Sequence, residues 1–136
     1  MSGPARRANL LEAFRAVAWS TGVLLCIGAV ALPVAHAHIY VAGFKSDLTD
    51  AVAAMATAQR GELIRRERFS PDAAAAAVAH DTRILARATL EADGRLRLLA
   101  MTAPEAVRTA WLPALIYERR MAADGTLSEG RWLTEH

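Results

Sequence analysis

Glu12 is the side chain whose position most strongly predicts a specific task. It lies at the start of a long apolar run, and a carboxylate within an apolar helix is costly enough that it usually has a function. Two roles are open for it. Glu12 could form an assembly contact with another protein, or it could pair with Arg15, one helical turn later, at the edge of a membrane.

His36 and His38 resemble a pair of metal ligands. Residues two apart point to different sides of a helix, so a single ion would bind both of them poorly. In an extended chain they would share a face, but no further His, Cys or nearby carboxylate completes a site. We therefore expect no metal site.

A basic patch lies near the end of a predicted helix and consists of Arg60, Arg65, Arg66 and Arg68. Such a patch can bind DNA, but nucleic-acid sites usually interleave aromatic side chains with their basic residues. This patch contains none, and Glu62 and Glu67 partly neutralise it. We expect a solvated helix end and no nucleic-acid partner.

The sequence offers little for catalysis or for cofactor binding. His80-Asp81 has Ser70 nearby, but there is no nucleophile elbow, phosphate-binding loop or pair of catalytic carboxylates. The single cysteine, Cys26, excludes a disulfide framework and any multi-cysteine metal site. We predict neither enzymatic activity nor a cofactor.

The distribution of charge predicts the element that positions Glu12. The chain has 136 residues, of which 54% are hydrophobic, and a net charge of +2. No charged residue occurs in the 29 positions 16–44, whereas a membrane span needs about 20 apolar residues. Residues 1–15 carry the whole excess of +2, and the chain after His38 is neutral. A basic flank predicts a cytoplasmic N-terminus and a periplasmic or extracellular C-terminal part.

Two fates are open for this apolar segment. Ala35-His36-Ala37 follows an apolar run and a proline, which is typical of a signal-peptidase site. Cleavage after Ala37 would release a protein that starts at His38 and is secreted. However, the apolar run continues through residues 39–44, which favours an uncleaved anchor helix.

Residues 45–68 predict an amphipathic helix that continues the apolar segment. Its apolar stripe recurs at three- and four-residue spacing and consists of Leu48, Val52, Met55, Ala56 and Leu63, with Gln59 interrupting it. Pro33 predicts a kink and Gly43 a bend. One interpretation is a single helix from about Ala8 to about Arg68, half in lipid and half outside.

The rest of the chain predicts a sheet. Ser70-Pro71-Asp72 starts a short helix, and from Thr82 the apolar period changes to two. Two hairpins, with turns at residues 92–94 and 123–125, predict four antiparallel strands, the third over 111–121 and the fourth over 126–134. Trp111 and Trp132 are expected to pack on this sheet. The fold class is therefore α+β, with a long N-terminal helix on a four-stranded antiparallel sheet.

This order of elements resembles that of bacterial type IV pilins. Residues 9–12 (Asn-Leu-Leu-Glu) resemble the family's Thr-Leu-Ile-Glu, residues 31–33 (Ala-Leu-Pro) resemble its kinking Ala-Ile-Pro, and the Asp-Gly turn before Arg131-Trp132 resembles its final hairpin. Two features depart from the family. Arg7 stands where a prepilin peptidase expects glycine, and the lone Cys26 precludes the family's C-terminal disulfide.

The resemblance implies a structural role in filament assembly and cell adhesion. It implies processing before Ala8 and an assembly contact at Glu12, with partners among pilin-like subunits or identical copies, the lipid bilayer and the inner-membrane assembly machinery. The expected organisation is a cytoplasmic leader (1–15), a transmembrane helix (16–44) and a periplasmic head (45–136). Two alternatives stay open, which are a small secreted or periplasmic binding module released after Ala37 and an unprocessed bitopic scaffold.

Overall fold

The computed structural model describes residues 3–110 and 113–133 of the chain. Within them the elements are, in order, α1 (Gly3–Arg66), α2 (Pro71–Ala76), β1 (Ile84–Leu90), β2 (Leu96–Thr102), α3 (Pro104–Ala110), β3 (Ile116–Met121) and β4 (Arg131–Leu133). The strands form one antiparallel sheet in the order β1-β2-β3-β4. The predicted α+β class is confirmed.

The chain divides into two units that meet between Ile39 and Tyr40. The first unit is the apolar part of α1. The second unit, called the head below, contains the rest of α1, the other helices and the sheet. The sequence predicted that Phe44 belongs to the uncharged segment 16–44. In the structure Phe44 is 5% exposed and belongs to the head.

The core of the head lies between α1 and one face of the sheet. Leu48, Val52 and Met55 of the predicted stripe are fully buried. They share a cluster with alternate residues of β2, namely Leu96, Leu98 and Ala100. The alternation along β2 places these residues on one side, because successive side chains of a strand point to opposite faces. Burial of this apolar surface is the main force that holds helix and sheet together.

Gln59 was expected only to interrupt the stripe, but it is completely buried within the head. Its side-chain oxygen accepts a hydrogen bond from the backbone N–H of Ser70 at 3.0 Å. The Ser70 hydroxyl in turn accepts from the N–H of Ala73 and caps α2, as predicted from residues 70–72. Gln59 therefore ties the end of α1 to the start of α2.

The two later strands are shorter than the sequence predicted. β3 begins at Ile116 rather than at Trp111, because α3 occupies residues 104–110 and Pro113 cannot donate to a sheet ladder. Trp111 lies outside the described residues. β4 covers Arg131–Leu133 rather than 126–134, although Leu127 forms an isolated bridge with Met121. Both predicted turns are present, with φ of +84° at Gly94 and +87° at Gly125, which glycine adopts without strain.

Candidate functional site

The first unit is an exposed apolar helix. From Leu10 to Ile39 its large apolar side chains are 45% to 76% exposed. By length and composition this part of α1 could cross a membrane. Exposed contiguous apolar surface of this extent marks contact with lipid or protein. Glu12 and Arg15 are both exposed on this helix.

Four of the sequence-predicted positions lie within the unbroken run of α1. The helix passes through Pro33 and Gly43 without a gap in its assignment, and Ala35 and Ala37 are also helical. The kink, the bend and the signal-peptidase site at these residues stay predictions. His36 and His38 are exposed on the same helix. Among residues 3–110 and 113–133, no group of three or more His, Cys, Asp and Glu side chains could hold a metal ion.

The predicted basic patch at the end of α1 is largely engaged within the head. Arg65 and Arg66 both form ion pairs with Glu62, whose side chain is 8% exposed. Arg60 donates from Nε to the backbone oxygen of Gly125 at 3.4 Å. Arg68 is exposed. The patch is therefore a set of local contacts rather than four guanidinium groups that converge on one surface.

A second arginine cluster, which sequence reasoning missed, lies on the face of the sheet opposite α1. Glu118 of β3 is 2% exposed there. Its carboxylate meets Arg97 Nε at 2.9 Å, Arg120 Nη2 at 3.1 Å and Arg131 Nη2 at 3.3 Å. Arg87 of β1 lies in the same row across the sheet, through the pairs Arg87–Leu99, Leu99–Glu118 and Glu118–Arg131. We call Arg87, Arg97, Arg120, Arg131 and Glu118 the arginine face.

The charge balance of the arginine face is positive. Arg120 Nε also donates to Glu91 at 3.0 Å, so four arginines face two carboxylates. Burial raises the pKa of Glu118, but the Arg97 hydrogen bond and the charges of Arg97 and Arg120 outweigh it and leave that pKa below its usual range. The Glu91 hydrogen bond and the Glu118 charge raise the pKa of Arg120. Four arginines against two carboxylates give this surface a formal net charge of +2.

A β-bulge brings Arg131 to this face. Met121 and Glu118 are three residues apart, whereas their partners Leu127 and Arg131 on the last strand segment are four residues apart. The segment that leads into β4 therefore contains one extra residue, which is a β-bulge. Without the bulge, Glu118 would lie opposite Gly130, and Arg131 would turn to the α1 side of the sheet. The bulge also brings the Tyr117 hydroxyl so close to Gly130 that a side chain there would overlap it.

An acidic groove lies elsewhere on the head. Its volume is about 250 Å³, and its lining includes Asp47, Asp50, His80 and Asp81. Arg83 Nη2 meets Asp47 at 3.4 Å and Asp81 at 3.2 Å. The Arg83 hydrogen bonds lower the pKa of Asp81. Three aspartates against one arginine give these residues a formal net charge of −2.

The aromatic side chains of the head serve packing. Tyr117 and Trp132 lie on the α1 side of the sheet with ring centroids 4.8 Å apart. Lys45 Nζ lies 5.4 Å from the centroid of the Trp132 ring, a cation–π contact. A cavity beside Tyr40 and Phe44 holds only about 10 Å³, which is room for one water-sized sphere. These features support a packing role for Trp132.

Comparisons with protein-family models, with curated proteins and with solved structures find no match to this chain.

Proposed function

We propose that this protein is a membrane-anchored, pilin-like structural subunit that assembles into a type IV pilus or a related filament. The observation that carries the proposal is the composition of α1. From Leu10 to Ile39 every large apolar side chain of the helix is exposed, while from Phe44 to Ala56 the same helix contributes buried side chains to the core of the head. Such a helix can hold the subunit in lipid and can later pack against its copies.

The charged residues around the apolar segment support this proposal. Glu12 is exposed near the start of the segment, where a carboxylate in an apolar setting needs a partner. A neighbouring subunit in a filament would supply one. The basic residues 6–15 favour a cytoplasmic N-terminus, so the head would lie in the periplasm or on the filament surface. The partners are then other copies or pilin-like subunits, the bilayer and the inner-membrane assembly machinery.

A second candidate function is a secreted or periplasmic binding module. The division of the chain between Ile39 and Tyr40 favours it, because cleavage after Ala37 would remove almost the whole first unit and leave the head complete. An unprocessed bitopic scaffold would keep both units.

The N-terminal residue of the mature protein separates these functions. The experiment is N-terminal sequencing and intact-mass analysis of the protein isolated from its native cells and from their medium. Ala8 as the first residue supports the filament subunit, since the resemblance places the mature start there. His38 would mean that the anchor is removed and would overturn the proposal, and Met1 would leave the bitopic scaffold.

A further inference from the structure

We propose that the arginine face of one copy docks on the acidic groove of the next copy. This inference rests on the proposed filament function and assigns the contact between heads. Arg87, Arg97, Arg120 and Arg131 against Glu118 and Glu91 carry a net charge of +2, and Asp47, Asp50 and Asp81 against Arg83 carry −2. After His38 the chain has 13 basic and 13 acidic residues. The head is therefore neutral as a whole, but it separates opposite charges onto two surfaces.

The arginine face is prepared for a partner. Glu118 at its centre is buried and holds three guanidinium groups, yet the side chains of Arg97, Arg120 and Arg131 stay 37%, 35% and 64% exposed. A guanidinium has five N–H donors, so groups held by one carboxylate keep donors for a second. Because Glu118 already orders these side chains, docking costs less conformational entropy.

The same surface lacks the features of a single-strand nucleic-acid site. The strand residues that share the face include no aromatic side chain, and a single-strand site needs aromatic rings on which bases stack. By contrast, a groove of equal and opposite charge is present on every copy. The two surfaces differ, so their contact is heterologous and can repeat without closing, which generates a filament.

A charge-swap experiment tests this contact. Variant A carries Arg87→Glu and Arg131→Glu, so both its surfaces are acidic. Variant B carries Asp47→Arg and Asp50→Arg, so both its surfaces are basic. Self-association of full-length protein in neutral detergent is measured by sedimentation velocity. We expect each variant alone to associate at least about tenfold more weakly than wild type, because like charges face each other. An equimolar mixture of A and B should recover association, since each face then meets a groove of opposite charge.

A control of equal charge uses the arginines at the end of α1. Residues 60–68 also carry a net charge of +2, from four arginines against Glu62 and Glu67. The variant Arg65→Glu, Arg68→Glu should associate like wild type, and wild-type association should weaken as salt is raised to 1 M. If A or B loses its cooperative thermal unfolding, the single substitutions Arg87→Glu and Asp50→Arg, both at exposed positions, replace it. Each brings its surface to a net charge of zero, so we expect a smaller loss of association in the variant alone.

Each result decides the inference. Recovery in the mixture supports it. If A loses association and the addition of B does not restore it, the inference is overturned and a different acidic partner is indicated. If A and B associate as wild type does, the inference is also overturned. Filaments recovered from cells are scored in parallel. If A and B both form normal filaments, the contact is rejected and the filament function stands. If wild type forms no filaments but the mixture of A and B recovers association in detergent, the contact stands and the filament function is rejected.

Discussion

Arg97 on β2 donates a hydrogen bond from Nε to Oε1 of Glu118 on β3, over 2.9 Å and diagonally across the sheet register. This contact closes a cluster in which a nearly inaccessible carboxylate balances guanidinium groups from three strands. The cluster orders the solvent face of the sheet and gives it its positive charge. The same cluster therefore contributes to the stability of the head and determines the charge of the surface proposed to bind a second copy.

Glu118→Ala should destabilise the head by about 1 to 3 kcal/mol, because three partly exposed guanidinium groups lose the carboxylate to which they are bound. The measurement is urea unfolding of the full-length chain in detergent, followed by tryptophan fluorescence. Glu105→Ala is the control, since the Glu105 side chain is 90% exposed and its Arg108 partner is 3.9 Å away. Equal midpoints for the two variants would show that the cluster contributes no stability.

Acid should destabilise the head through Glu118. Arg97 and its neighbours hold the Glu118 pKa below its usual range, so the folded state binds this proton less readily than the unfolded state. The resulting stability is complete above the ordinary glutamate pKa of about 4.3 and is lost as pH falls through the lowered folded value. Unfolding free energies measured from pH 6 to pH 2 should fall less steeply in Glu118→Gln. Parallel curves for wild type and variant would contradict this assignment.

Gly130→Ala should cost about 1 to 3 kcal/mol, because the new methyl group overlaps the Tyr117 ring and forces it to shift. In a Tyr117→Ala background the same change should cost much less. Gly61→Ala is the matched control. It lies within α1 with no neighbour inside 4 Å, so a gain of about 1 kcal/mol is expected there from helix propensity. Thermal unfolding of wild type, Gly130→Ala, Tyr117→Ala and the double variant forms the double-mutant cycle. An unchanged cost without the Tyr117 ring would rule out this clash.

Met55→Ala should lower the stability of the head by about 2 to 5 kcal/mol, because it opens a cavity between α1 and the sheet. Met55 is fully buried, whereas Ile64 on the same helix is 86% exposed. Ile64→Ala should therefore stay within about 0.5 kcal/mol of wild type. Similar urea midpoints for the two variants would mean that the helix stripe does not support the sheet.

Glu12→Ala should reduce filament incorporation about tenfold or more, since a hydrogen bond to a charged group contributes about 1.5 to 3 kcal/mol. Membrane insertion should persist, because the substitution leaves the uncharged run of residues 16–44 unchanged. The assay compares protein in sheared filaments with protein in the membrane fraction, with Glu105→Ala as control. Normal incorporation of Glu12→Ala would remove the assembly role of this carboxylate.

Local patterns in the sequence were sufficient to predict most of the elements. The 29 uncharged residues predicted the apolar part of α1, the stripe from Leu48 to Ala56 predicted the core, and the Asp-Gly turns predicted both hairpins. These predictions succeed because periodicity, propensity and turn chemistry act over a few residues. Glu12, Pro33, Gly43, Ala35 and Ala37 stay predictions, since their roles depend on lipid, a peptidase or a second subunit.

The candidate site depends on tertiary structure, for a physical reason. Arg97, Glu118 and Arg131 come from three strands, and their meeting is set by strand register. A one-residue bulge in β4 decides that Arg131 faces Glu118 rather than the α1 side of the sheet. The sequence signal that could have indicated this cluster was Glu-Arg-Arg at residues 118–120, in a strand whose two neighbouring strands also contain arginines. The amino-acid sequence by itself thus determined a long apolar helical segment, an amphipathic helix and two hairpins. Only the folded sheet decided which charges lie together, because side chains far apart in sequence interact only once the register is set.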